Sequence, residues 1–125
     1  MRAKQGETLQ ALRLALIANG ISSVAEQARV LCLPRSTAWF VLQSNHKWRG
    51  LNAAQVVRML RSQLLPDDAR RIVLRYVRER AAGAYGHTEV MRQKFLLRLQ
   101  QLGWAQIAEH HPGDQSRRPS LVANP

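Results

Sequence analysis

The chain has 125 residues, 46% of them apolar and 6% aromatic, and sets 19 Lys and Arg against 8 Asp and Glu for a formal net charge of +11. That length makes one domain, with a core filled by Leu, Val, Ile and Ala. The charge points to a polyanionic partner, nucleic acid first, because neutralising phosphates releases counterions. Eight scattered carboxylates offer no paired acid and base.

Helix formers dominate and no long alternating apolar and polar run suggests a sheet, so the expected class is all-α, a compact bundle of about five to six helices. The first helix is expected from about Glu7 to Ala18, where Leu9, Leu12 and Leu16 recur at helical spacing and Gly20 ends it. Arg13 and Asn19 interrupt its apolar run and no small-residue cleavage site follows, against a secretory signal. Ser22 or Ser23 caps the second helix, and Glu26 lies three residues beyond Ser23 in capping-box spacing. Val24, Ala28 and Leu31 form its apolar side. Cys32-Leu33-Pro34 makes the turn, and a third helix runs on to about Gln43.

Ser44 to Gly50 reads as a polar, basic loop. A fourth helix starts after Asn52 and runs to about Leu64, with a stripe of Val56, Leu60 and Leu64 widened by Val57 and Met59. Leu65-Pro66-Asp67-Asp68 breaks the chain and opens the fifth helix, whose first-turn carboxylates suit the helix dipole. Ala69, Ile72, Val73, Tyr76 and Val77 are expected to face inward, and Arg71, Arg75 and Arg78 to line another side. Ala82 to Gly86 is a loop. A sixth helix spans about Thr88 to Leu102 and stops at Gly103, with Val90, Met91, Phe95, Leu96, Leu99 and Leu102 on one wide stripe. Trp104 to Ala108 is too short to assign. The domain is expected over 1–108, and the polar, proline-bearing segment 109–125 as a disordered tail.

Residues 24–43, VAEQARVLCLPRSTAWFVLQ, have the layout of a DNA-reading helix-turn-helix. Two helices that cross tightly need a small residue in the first, and Ala28 fills that place. The turn needs a residue that tolerates left-handed backbone, and this position falls on Cys32, where glycine is usual. Leu33, Ala38, Val41 and Leu42 anchor the inner side. Arg35, Ser36, Thr37, Phe40 and Gln43 are left for DNA. The segment resembles the helix-turn-helix of the IclR-type transcription regulators through Ala28, Leu33, Pro34, Arg35, Ser36, Thr37 and Leu42, with Cys32 at that family's glycine and Phe40 at its reading-helix arginine. The resemblance implies a DNA-binding element. It does not extend to that family's ligand-binding domain, for which the remaining chain is too short.

The chemistry assigns roles. Ser36 and Thr37 at a helix N-terminus grip a phosphate. Arg35 does the same or reaches guanine O6 and N7 as a bidentate donor, and Gln43 pairs with adenine if it faces the groove. Phe40 has two readings, contact with a thymine methyl or burial in the core. Asn45, His46, Lys47 and Arg49 follow the reading helix and touch the backbone, while Trp48 either joins them or plugs the core beneath the loop. Between Arg35 and Arg80 stand ten Lys or Arg and three acids, Asp67, Asp68 and Glu79, so the positive excess is concentrated in and after the reading helix. The Arg71, Arg75 and Arg78 row is either a second phosphate stripe or a solvated face in which Arg75 pairs with Glu79; Arg58 and Arg61 stand the same way.

The expected function is a sequence-specific DNA-binding transcription regulator, most simply a small dimeric repressor with helix 34–43 in the major groove. The partners are double-stranded DNA and a second copy of the chain, with helix 88–102 as the dimer surface unless its stripe closes the monomer's own core. The alternatives are a basic helical module for RNA or an acidic protein, and a DNA-binding accessory in recombination or plasmid partition. No enzyme, cofactor, metal, small-molecule ligand or membrane span is expected: Asp67-Asp68 reads as capping, His110-His111 as an isolated tail pair, and Tyr85-Gly86-His87 lacks a nucleophile. A single cysteine closes no internal disulfide, which fits a reducing, cytoplasmic setting at the nucleoid.

Overall fold

Side-chain caps set three of the helix starts. Ser23 Oγ accepts from the Glu26 N–H at 3.1 Å while the Glu26 carboxylate accepts from the Ser23 N–H, and Asn52 and Gln55 repeat the arrangement. Thr88 Oγ1 accepts from the Met91 N–H at 3.2 Å. The computed structural model describes residues 2–43 and 50–109. Among them are seven helices and no strand: α1 (Arg2–Ala18), α2 (Val24–Leu31), α3 (Arg35–Gln43), α4 (Ala53–Arg61), α5 (Asp67–Ala81), α6 (Glu89–Gln101) and α7 (Trp104–Glu109). The class is all-α, with one helix more than the upper end of the expected count. Among the described residues no helix is long and apolar enough to cross a membrane.

α1 lies on α5 and touches α3; α2 packs on α3; α4 sits among α2, α5, α6 and α7. One core joins them. It contains Leu9, Leu12 and Leu16 of α1, Leu31 of α2, Ala38, Val41 and Leu42 of α3, Val56, Met59 and Leu60 of α4, and Val73, Tyr76 and Val77 of α5. Phe95 and Leu99 bring α6 into it.

Four features differ from the expectation. α1 begins at Arg2 rather than Glu7, because Gln5 and Thr8 are buried polar residues that break the apolar pattern while continuing the helix. Tyr76 Oη donates to Gln5 Oε1 at 3.2 Å, and Thr8 Oγ1 donates to the Lys4 carbonyl at 3.2 Å. α4 ends at Arg61 rather than Leu64: the Ser62 hydroxyl accepts from the Leu64 N–H at 3.2 Å and turns the chain, so Leu64 is 57% exposed and Leu65 is buried instead. Ile72, expected inward, is half-buried against the core. Trp104–Glu109 is a helix, and Arg70 explains its position. The Arg70 side chain, 4% exposed, donates from Nη1 to the Leu60 carbonyl at 3.0 Å and from Nη2 to the Ile107 and Ala108 carbonyls at 2.6 and 3.2 Å. One guanidinium thus serves orphan carbonyls at the C-terminal ends of both α4 and α7. The expected tail lies, from residue 110 on, outside the described residues.

Candidate nucleic-acid interface

The turn between α2 and α3 has the backbone that the sequence demands. Cys32 sits at φ 57° and ψ 41°, the one non-glycine with positive φ among the described residues. The Leu33 N–H donates to the Ala28 carbonyl at 3.0 Å and the Cys32 N–H to the Arg29 carbonyl at 3.2 Å. This is the paired closure of a helix that ends on a left-handed residue. Leu33 is then buried, Pro34 supplies the first helical acceptor to the Ala38 N–H at 2.9 Å, and α3 leaves at once. Ala28 is buried where α2 and α3 meet.

α3 is two-sided. Ala38, Val41 and Leu42 are buried, while Arg35, Ser36, Trp39, Phe40 and Gln43 are exposed. Positions 35, 39 and 43 and positions 36 and 40 are spaced by four, so they make one continuous face. Thr37 is half-buried at its flank. Phe40 is not a core residue: it is 50% exposed, and its ring meets that of Trp39 edge-on at 5.2 Å between centroids and 81° between planes. Trp39 is 47% exposed. It was missed by the sequence reading, although its place midway between Arg35 and Gln43 at helical spacing was enough to put it on the outer side. Val24, Arg35, Ser36, Trp39 and Phe40 line an open recess of about 500 Å³ between the start of α2 and the face of α3.

No acidic residue stands in the first turn of α3, unlike those of α2, α5 and α6. Its positive dipole end and first-turn N–H groups therefore carry no local countercharge, and Arg35 adds a full one. Asn45, His46, Lys47 and Arg49, together with Trp48, lie outside the described residues. Arg58, Arg61, Arg71, Arg75 and Arg78 are all exposed.

A second group of polar side chains joins α1 to α5 and to the segments around Leu51 and Tyr85. Tyr76 Oη accepts from the Leu51 N–H at 2.8 Å, and Arg80 donates to the Leu51 carbonyl. Tyr85 Oη donates to Glu79 Oε1 at 2.6 Å, and Thr8 Oγ1 lies 3.3 Å from the same oxygen. The Tyr85 bond holds the Glu79 carboxyl below its usual range, while burial and that carboxylate push the Tyr85 phenol up. The Arg80 guanidinium lies 4.0 Å from the Phe95 ring centre. These bonds tie α1, α5 and the segments beside them together.

Comparison with protein-family models, curated proteins and solved structures finds no match for the chain.

Proposed function

We propose that the protein is a sequence-specific DNA-binding transcription regulator, a small repressor that lays α3 in the major groove. The observation that carries this is the pair α2–α3, joined through a left-handed Cys32, with one face of α3 spent on the core and the opposite face bearing Arg35, Ser36, Trp39, Phe40 and Gln43 in the open. A groove-reading helix needs that division, and base edges are read by side chains of the types present. The net charge of +11 supplies the sequence-independent attraction.

A single reading helix covers few base pairs, so we extend the proposal to a homodimer on half-sites one DNA turn apart. Phe95 and Leu99 of α6 are spent on the monomer's own core, while Val90, Met91 and Leu97 stay exposed for a second copy. Size exclusion with light scattering at micromolar concentration should give a dimer; a strict monomer removes this part.

The two exposed rings favour one other reading, a basic module that stacks unpaired RNA bases. Fluorescence anisotropy with duplex DNA, structured RNA and single strands separates the two. Preference for particular duplex sequences supports the regulator. Equal binding to every polyanion, lost together at moderate salt, contradicts it.

A further inference from the structure

We propose, resting on the DNA-reading role of α3, that the recess beside α3 is a pocket for the C5 methyl groups of thymine, so that the protein selects duplexes carrying thymine at positions set by Trp39 and Phe40. The thymine methyl is the one sizeable apolar group that a base edge presents in the major groove; cytosine has only a C–H at the same place. The recess is lined by Val24 from α2 and the two rings from α3, together with Arg35 and Ser36. Half-exposed aromatic rings at the centre of a groove-facing helix gain from displacing water on an apolar group and gain nothing from a phosphate. Arg35 lies one helical turn before Trp39, and Ser36 one turn before Phe40. A guanine or phosphate contact at the start of α3 therefore sits beside a methyl contact one turn further on. The charge of this edge argues for the duplex as the occupant over an apolar protein segment: α3 carries Arg35 and no acid, on a chain of net charge +11.

The test acts first on the DNA. Duplexes are selected from a random pool with the full chain, and the selected duplex is remade with deoxyuridine in place of thymidine, one position at a time. Uracil pairs like thymine and lacks only the methyl. The expected result is enrichment of thymine at one or two positions per half-site, with an affinity loss of about fourfold for each methyl removed there, the value of one buried carbon. Trp39→Ala and Phe40→Ala should each bind the thymine and uracil duplexes alike, with helical content unchanged by circular dichroism. If uracil is tolerated at every position while Arg35→Ala still weakens binding, the methyl pocket is wrong and the DNA-reading role stands. If no duplex is enriched, or single strands bind more tightly than any duplex, both fall.

Discussion

The Leu33 N–H reaches back to the Ala28 carbonyl at 3.0 Å and so carries the chain over Cys32, the residue held in left-handed backbone. That conformation costs an L-residue about 1–2 kcal/mol, and Cys32 is exposed, so no buried side chain offsets the strain. Glycine relieves it at some cost in unfolded-state entropy. Cys32→Gly should therefore raise stability by about 0.5–1 kcal/mol, and Cys32→Val should lower it by about 1 kcal/mol, measured by urea unfolding. A destabilised glycine variant would mean that the turn is closed by other forces.

Arg70 joins α4 to α7 through three backbone carbonyls. Hydrogen bonds to a charged donor contribute about 1.5–3 kcal/mol, and the carbonyls left behind are partly buried. Arg70→Met should cost about 3 kcal/mol by urea unfolding. Arg70→Lys should recover little, because an ammonium cannot fork across two helix ends. Equal stability of the lysine variant and the native chain would contradict this account.

Gly50 has φ +87°, and a β-carbon placed there would meet the Tyr76 hydroxyl and the Gln5 amide. Gly50→Ala should destabilise the fold by about 2–3 kcal/mol through the clash and the left-handed backbone. Tyr76→Phe alone should cost about 1–2 kcal/mol, since it strips the acceptor from the buried Leu51 N–H. The double variant should cost less than the sum, because removing the hydroxyl makes room for the methyl. Strict additivity would show that the two do not compete for that space.

The Glu79–Tyr85 pair makes stability depend on pH at both ends. The folded Glu79 carboxyl titrates below its unfolded value, so its contribution is whole above about pH 5 and is lost as pH falls through the lowered folded value. The folded Tyr85 phenol titrates above its unfolded value, so its contribution is whole below about pH 10 and is lost as pH rises past it. His87, lowered by burial and then by Arg80, adds a further loss as pH drops below about 6.5. The stability difference between the native chain and Tyr85→Phe should thus be greatest near neutrality and shrink below pH 4. A difference that grows in acid would reverse the assignment.

Much of the fold was legible because its signals are local. Ser23 with Glu26, Asn52 and Thr88 announce their helices within four residues. The inner side of α3 follows from one helical period. Burial of Arg70 depends on two helix ends that are distant in sequence, and along the chain it looks like its exposed neighbour Arg71. α7 is six residues long, too short for periodicity to register. In the candidate interface polarity singles out Arg35, Ser36 and Gln43, and it passes over Trp39, whose only signal is its spacing midway between Arg35 and Gln43. α3 spends Ala38, Val41 and Leu42 on the core, and one helical period then leaves Trp39 on the outer side.

The most direct test of α3 as the reading element compares Arg35→Ala with Arg75→Ala on a selected duplex by fluorescence anisotropy. Arg35→Ala should lose about 1–3 kcal/mol of binding and relax the preference at one base position. Arg75→Ala should weaken all sequences alike or not at all. Unchanged binding by Arg35→Ala together with abolished binding by Arg75→Ala would place the DNA on α5 and contradict the account.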